Sequence, residues 1–404
     1  MRVGRLGVVL LWIVACSDDS GPSAGIQFTS LAAGSTSACG LTAEGEVLCW
    51  GGNGSGQLGT GDREWRLVPS PMAGSPRFSV LDQGSTACAV DLGGRAYCWG
   101  AGGWGMTGNG AVEGVDLCGE FQFGCNLRPQ AVRTAERFSD IVNSEAISCG
   151  LAVTRLAYCW GVYQGGFLGI GVVPDGSRPL TQCQPRFSSE FLFVDGRCAT
   201  QPVAVAGENR FRSIAAGAGQ VCGATEGGRL LCWARPTEGD SGERYLPVEV
   251  AGAPAFTQLS GGGSLLCGVT GAGPAYCWGD VYASGGAFST SSPTAVGDDI
   301  VFSSVTVGSE HACGVTPGGT AYCWGINNRG QLGDGTTVDA VGDGTLDPVF
   351  VAGGHSFRTL AAGTDFTCGI TLEGDTHCWG ANSTGQLGNG TLTASLTPTP
   401  IDLP

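Results

Sequence analysis

The sequence predicts an all-β fold, a seven-bladed β-propeller with four short antiparallel strands per blade. Three internal registers agree on the count. Seven copies of one block carry a cysteine, nine intervening residues, a second cysteine and then Trp50, Trp99, Trp160, Trp233, Trp278, Trp324 or Trp379. Upstream of each first cysteine stands a phenylalanine: Phe28, Phe78, Phe138, Phe211, Phe256, Phe302 and Phe357. Nine residues before every phenylalanine except the first stands a proline, Pro69, Pro129, Pro202, Pro247, Pro293 or Pro348.

Each unit then reads as four apolar segments: Pro-x-x-Val, Phe-x-x-Leu/Ile/Val, Cys-Gly-Val/Leu-Thr and Ala-Tyr-Cys-Trp-Gly. The prolines are expected to start their strands. A solenoid is the competing architecture, and the chain ends tell against it. The first unit lacks its Pro-x-x-Val segment, while a spare one stands at Pro398-Thr399-Pro400-Ile401. The expected ring is closed by mixing N- and C-terminal strands, which leaves no exposed sheet edge where they meet.

The hairpin inside each block follows from its spacing. If Ala43-Glu44-Gly45 is a three-residue loop, Cys39 faces Cys49 across two antiparallel strands. Such a loop needs a left-handed residue at its last position, which glycine fills without steric cost. That position holds Gly45, Gly94, Gly228, Gly273, Gly319 and Gly374, with Arg155 departing. At a non-hydrogen-bonded pair the Cα separation of about 4.5–5.5 Å is near what a disulfide needs. The expected pairs are Cys39–Cys49, Cys88–Cys98, Cys149–Cys159, Cys222–Cys232, Cys267–Cys277, Cys313–Cys323 and Cys368–Cys378. Cys118–Cys125 and Cys183–Cys198 complete the set inside the two longest insertions. Each short closed loop is worth about 2–3 kcal/mol, less where a hairpin already holds its ends together. This pairing demands an oxidising compartment. Metal binding is not expected, since there is no Cys-x-x-Cys and the three histidines, His311, His355 and His377, fall at unlike repeat positions.

Of the chain's 404 residues 72 are glycine and 14% are charged, which suits short strands and tight turns. A net charge of −15 repels phosphate backbones, so nucleic acid is not an expected partner. Arg2 and Arg5 precede the apolar run Val8 to Ala15, which is too short to span a bilayer. The run ends at Ile13-Val14-Ala15-Cys16 and resembles a bacterial lipobox, with Cys16 the lipidated residue. An ordinary signal peptide cleaved nearby is the plainer alternative. The expected organisation is a signal peptide at 1–15, a tether at 16–25 and the propeller at 26–404. The expected protein is exported or lipid-anchored, monomeric, and touches membrane only through that lipid.

Three units continue past tryptophan with a longer signature, Trp50 to Gly59, Trp324 to Gly333 and Trp379 to Gly388, each ending Gly-Gln-Leu-Gly. With Phe-x-x-Leu-Ala-Ala-Gly at Phe28 to Gly34 and Phe357 to Gly363, this resembles the regulator of chromosome condensation repeat. The resemblance covers roughly residues 26 to 404. The middle units keep Cys-Trp but lack Gly-Gln-Leu-Gly, which leaves their loop shapes open. The family's namesake is a nuclear guanine-nucleotide exchange factor that binds chromatin. Bacterial members include a secreted propeller that inhibits β-lactamases, similar in fold and compartment.

Additions to the repeat have one address, between Trp-Gly and the next Pro-x-x-Val: residues 101–128, 162–201 and 326–347. They open on the face that also carries the turns before each first cysteine. Trp104, Phe121, Phe123, Tyr163, Phe167, Phe187 and Phe191 are the candidate binding residues, on loops braced by disulfides. The same aromatics could instead form small cores under their own loops. The seven tryptophans are expected to pack blade against blade rather than stack on a ligand.

No nucleophile elbow, zinc-protease helix or phosphate loop occurs in the chain. A non-enzymatic scaffold for an unidentified protein partner, without cofactor, is the leading expectation. An enzyme on cell-wall or polysaccharide material and an exchange factor are the alternatives. Peptide mass mapping without reduction should recover the nine disulfides and an acylated Cys16 at the mature N-terminus; free thiols at Cys39 or Cys49 would refute the staple.

Overall fold

The computed structural model describes residues 26–404 apart from 119–122, 145–146, 164–165, 175, 178, 184–195, 218, 235–243, 272, 284–285 and 343–344. Seven antiparallel sheets stand around an axis as a seven-bladed propeller. Blade 1 runs Phe28–Ala33, Ser37–Thr42, Val47–Gly51 and Arg66–Pro71, from the axis outward. The other six follow the same order. Blades 2 and 3 gain a fifth, outermost strand, Asp116–Cys118 and Thr181–Gln182.

The hairpin between the second and third strands forms for the reasons its sequence gives. Thr42 N–H donates to Glu46 O at 2.9 Å and closes a three-residue loop, and Cys39 pairs with Cys49. All nine disulfides are present, and the seven blade bridges hold Cα atoms 4.0–4.1 Å apart. Arg155 takes the left-handed φ of 69° that glycine takes elsewhere. Gly273 departs from the expectation, and the positive φ moves to Gly271. Pro274 is the cause, because a residue preceding proline is pushed toward extended backbone.

The phenylalanine and tryptophan of each blade pack on one another, with ring centroids 5.5–6.2 Å apart in all seven. The phenylalanine ring also lies on the backbone just after the first cysteine. A Cβ on Gly40 would stand 2.4 Å from Phe28, and Gly150, Gly223, Gly268, Gly314 and Gly369 are equally closed. That contact explains Cys-Gly. Blade 2 places Ala89 there.

Two expectations about the outer strand are corrected. The prolines do not generally start it: Pro69, Pro129, Pro202, Pro247 and Pro293 lie inside their strands. In blades 1 to 5 the register slips opposite the tryptophan, between Cys49 and Gly51 in blade 1. Proline has no N–H to give, so it belongs on an edge strand at such a bulge. Pro348 alone of these stands just before its strand, Val349–Phe350.

Nor is the ring closed by strand exchange. Ser395–Pro400 pairs with Thr376–Gly380 of its own blade, and Arg66–Pro71 completes blade 1. Each Pro-x-x-Val segment is the outer strand of the preceding blade, so the C-terminal copy is not spare. The four blade strands pair in chain order in all seven blades, even across the long third-to-fourth-strand connections.

What closes the ring is the seam found between other blades. The loop after the third strand crosses to the next blade and meets its tryptophan. Trp99 Nε1 donates to Gln57 O, Trp160 to Met106 O, Trp233 to Phe167 O, Trp379 to Gln331 O and Trp50 to Gln386 O, all at 2.9 Å. A second bond joins the same loop to the next outer strand: Gly61 N to Leu127 O, Gly110 N to Thr200 O, Gly171 N to Tyr245 O, Gly335 N to Leu396 O and Gly390 N to Leu67 O. Blade 7 thus joins blade 1 by the same pair of bonds used elsewhere.

The loop is folded from within by one asparagine. Asn53 Oδ1 accepts Leu58 N–H at 3.0 Å while Nδ2 donates to Asp62 O at 3.0 Å, and Asn327 and Asn382 receive the same Leu332 and Leu387 bonds. Its closing glycine lies against the next indole, where a Cβ on Gly333 would stand 2.6 Å from Trp379 Nε1 at φ 73°. Gly333→Ala should cost about 2–4 kcal/mol, from left-handed strain and overpacking together. Gly54→Ala has open space around it and should be near neutral. Denaturant midpoints of the two variants measured side by side check the difference.

Candidate functional site: the insertion face and its central cup

The loops between third and fourth strands share one face of the disc with the turns between first and second strands, as Gly52 N–H to Thr36 O and Ala101 N–H to Ser85 O show. On that face the axis opens into a cavity of about 560 Å³. Its wall is built from the ends of the seven innermost strands, with Phe167 of blade 3 added from its loop. Small residues dominate because seven strands converge there; Ala33, Gly34, Ala216, Gly262 and Ala362 are typical. Deeper in stand Leu31, Leu81, Ile214, Leu259 and Leu360, the third residue after each phenylalanine.

The innermost strands leave unpaired N–H groups toward the next blade, and side chains cap them. Ser213 Oγ accepts Leu259 N–H, Ser260 Oγ accepts Val307 N–H and Thr306 Oγ1 accepts Ala362 N–H, at 3.0–3.1 Å. Between blades 2 and 3 the cap is a carboxylate. Asp82 Oδ2 accepts Asn143 N–H at 2.6 Å, and Asp82 lines the cavity. Burial pushes its pKa up to about 7; the Asn143 bond opposes this and the charge of Asp140 adds to it. Burial likewise raises Asp140 to about 6. Asn143 Oδ1 is buried without a hydrogen-bond partner. Neighbouring Gln83 is committed to blade 1, its Nε2 donating to Ser37 Oγ and Gln57 O.

Blades 2 and 3 also carry the long insertions. Cys118–Cys125 ties the added hairpin Asp116–Cys118 to Phe123–Ala131, and Cys183–Cys198 does the same service beside Thr181–Gln182. Trp104 is half-buried at a left-handed φ of 58°, a rare conformation for a bulky residue. Phe123 is half-buried on its strand. Phe167 reaches the cavity. Phe121, Phe187 and Phe191 lie outside the described residues, as does Cys16.

Tyr163 is buried, so its ring belongs to the loop's own core. It stands three residues after Trp160, where Asn53 stands after Trp50, and does that residue's work: its hydroxyl donates to Gly171 O and accepts Val173 N–H. Arg197 lies over the ring, 4.7 Å from its centroid.

The loops of blades 2 and 3 follow the path of the Gly-Gln-Leu-Gly loops. Gly105-Met106-Thr107-Gly108 and Gly166-Phe167-Leu168-Gly169 have the same pair of positive φ angles as Gly56 and Gly59. The required signal is glycine six and nine residues after tryptophan, since a backbone carbonyl makes the seam bond. Blade 5 lacks both glycines, having Ser284 and Ala287 at those places. A long hairpin, Ala275–Ala283 with Gly286–Val296, replaces the loop, and Trp324 Nε1 in the next blade has no acceptor.

Among the described residues no group of three or more His, Cys, Asp or Glu could hold a metal, and no helix is long and apolar enough to cross a membrane. The rings of His355 and His377 lie tilted against each other on blade 7, with centroids 4.3 Å apart.

Models of the regulator of chromosome condensation (RCC1) repeat match residues 28–57, 302–331 and 357–386, and 44–86, 318–370 and 373–404. These are blades 1, 6 and 7, the three with complete Gly-Gln-Leu-Gly loops. Over 63 residues the chain is 40% identical to E3 ubiquitin-protein ligase HERC2 of Homo sapiens, a stretch that is 16% of this chain and 1% of that protein. Human WBSCR16 superposes with TM-score 0.68 at 17% identity, covering 86% of this chain and 87% of that one. Prp20p of Saccharomyces cerevisiae, whose structure is described with its binding to Gsp1p and histones, gives 0.63 at 19% identity over 85% and 82%. The CRINKLY WD40 ectodomain of the Arabidopsis thaliana receptor kinase ACR4 gives 0.50 at 18% over 94% and 100%. At such identities these structures speak to fold alone.

The two shifted acids set a pH dependence. Their folded pKa values lie above the unfolded value of 3.8, so the folded state binds more protons and stability falls as pH rises from about 4 through about 7. His311, buried and pushed down to about 4 from 6.5, works the opposite way, losing stability as pH falls through that range. Asp82→Asn keeps an acceptor for Asn143 and removes the buried charge. It should stabilise the protein by about 1–3 kcal/mol at pH 8 and little at pH 4, read as thermal midpoints at the two pH values.

Proposed function

We propose, from the premise that this chain belongs to the regulator of chromosome condensation repeat family as a seven-bladed propeller, that it is a non-enzymatic scaffold which docks a protein on its insertion face. One observation carries the reading. On consecutive blades the third-to-fourth-strand connections hold large apolar side chains out in solvent: Val338, Leu392, Trp65, Val115, Leu117 and Val172, from blade 6 through blade 7 and blade 1 to blade 3. Leu92, Val153 and Leu372 are exposed on the opposite hairpins, but only the insertion face carries such residues on neighbouring long loops, and grouped exposed apolar side chains mark an interaction site more than single ones do.

Seam bonds and disulfides hold these side chains on ordered loops, so a partner loses little by ordering them further. Nine disulfides call for an oxidising compartment. The Cys16 lipobox supports anchoring the propeller to a bacterial cell envelope, with residues 16–25 as tether. A surface of net charge −15 in that compartment disfavours nucleic acid and a nuclear GTPase as partners.

Removing whole insertions is a poor test, since Met106 O and Phe167 O hold Trp160 and Trp233. Photo-crosslinking residues placed at Val115, Leu117 and Val172 should instead capture one common partner on intact cells. Leu92 and Val153, exposed on the opposite hairpins, should not. Amine-reactive reagents are unsuited because the chain contains no lysine. The triple change Val115→Asp, Leu117→Asp and Val172→Asp should weaken capture at least tenfold with the thermal midpoint unchanged. Equal capture from both faces would overturn the reading.

A further inference from the structure

We propose that the central cup is a socket for one organic cation on an aliphatic stem, the arginine or lysine side chain of the docked partner, with Asp82 as its counter-ion. The inference rests on protein docking at the insertion face and adds the chemistry that this face selects.

The cup opens where the partner would sit, and its 560 Å³ falls in the range of ligand pockets, about 300–1,000 Å³. Its lining has two characters. The deep part is aliphatic, from Leu31, Leu81, Ile214, Leu259 and Leu360, and Phe167 adds an aromatic ring. The polar wall between blades 2 and 3 offers the Asp82 carboxylate as an acceptor, while the carbonyl oxygen of Asn143 beside it is buried and has no donor in the structure. Among the described residues no basic side chain lines the cavity.

A half-buried, partly desolvated carboxylate in such a place is costly without a counter-charge. The shared cap position carries Ser260 and Thr306 on other blades, where a neutral hydroxyl caps the backbone equally well. Asp82 therefore brings a charge that the seam itself does not need, and its raised pKa is the sign that the charge is unmatched. A guanidinium or ammonium supplies the missing charge and donors, while its methylene stem fits the aliphatic part. An anion would meet the carboxylate with like charge. A bare metal ion would find one Asp82 oxygen already spent on Asn143 N–H and no group of three ligands among the described residues.

Ligand-observed NMR titration of the intact propeller with acetyl-Gly-Gly-Arg-Gly-Gly-amide tests this. The same peptide carrying neutral citrulline, and free agmatine, are its comparison probes. The arginine peptide should bind at least tenfold tighter than the citrulline peptide. Asp82→Asn should erase that preference, while Glu373→Gln, which removes one charge from the opposite face, should keep it. Folding of Asp82→Asn is verified by a cooperative melt, and Asp82→Glu should restore part of the preference. Equal binding of arginine and citrulline peptides, or no binding by either, would sink the proposal. Agmatine binding tighter than the peptide would overturn the partner side chain as the source. A failed titration beside successful photo-capture leaves docking intact and removes only the socket.

Discussion

One hydrogen bond governs this molecule: the indole N–H of a blade's tryptophan donating to a carbonyl of the preceding blade's loop. A buried tryptophan hides roughly 150–250 Å² of surface, but its N–H must find an acceptor in the dry seam. The acceptor is a main-chain oxygen, so it is independent of the side chain that carries it. Gln57, Met106, Phe167, Gln331 and Gln386 all serve. What the loop cannot vary is its path, which needs left-handed glycines and close contact with the indole ring. That constraint explains why glycine recurs where glutamine and leucine do not.

The same bond explains how the ring closes without exchanging strands. Blade 7 reaches blade 1 through Gln386 O and Leu67 O, in the manner that blade 1 reaches blade 2. A seam that repeats has no special joint. Among the described seams the exception is between blades 5 and 6, where the missing glycines, the long hairpin and the unpartnered Trp324 N–H are three aspects of one change. Val281 and Phe288 of that hairpin join Val341 and Leu346 in the local core, so apolar packing replaces the lost polar contact.

Blade number, strand order within the hairpin, disulfide partners and the face of the insertions were legible because each repeats seven times or obeys a spacing. The reading went astray where a residue's role depends on a neighbour in another blade. The prolines looked like strand starts because sequence shows their position along the chain, not the bulge opposite tryptophan. The C-terminal Pro-x-x-Val looked spare because the repeat unit and the blade are offset by one strand. Tyr163 looked like a binding anchor, and only its place three residues after Trp160 could have marked it as a substitute for asparagine. Gly105 and Gly108 keep the loop path although Met106-Thr107 stands where the family signature has Gln-Leu, so the glycines alone carry the signal.

Asp82 was the least legible residue of all, and the reason bears on function. Little marks it in one dimension: Asp82-Gln83 replaces Ala-Ala in a run, Phe78 to Gly84, that keeps the phenylalanine, leucine and glycine of its repeat. Only closing the ring brings the fourth residue after each phenylalanine to a common wall, where Ala32, Val142, Ala215, Ser260, Thr306 and Ala361 are its counterparts. Against those small or neutral groups a carboxylate is the outlier. A scaffold of near-identical blades can acquire a specific site only by breaking its own repetition. Here the break inside the cup and the two braced insertions fall on the same pair of blades. Shape on the rim and charge at the centre therefore face one side together, which is the arrangement a single partner would read.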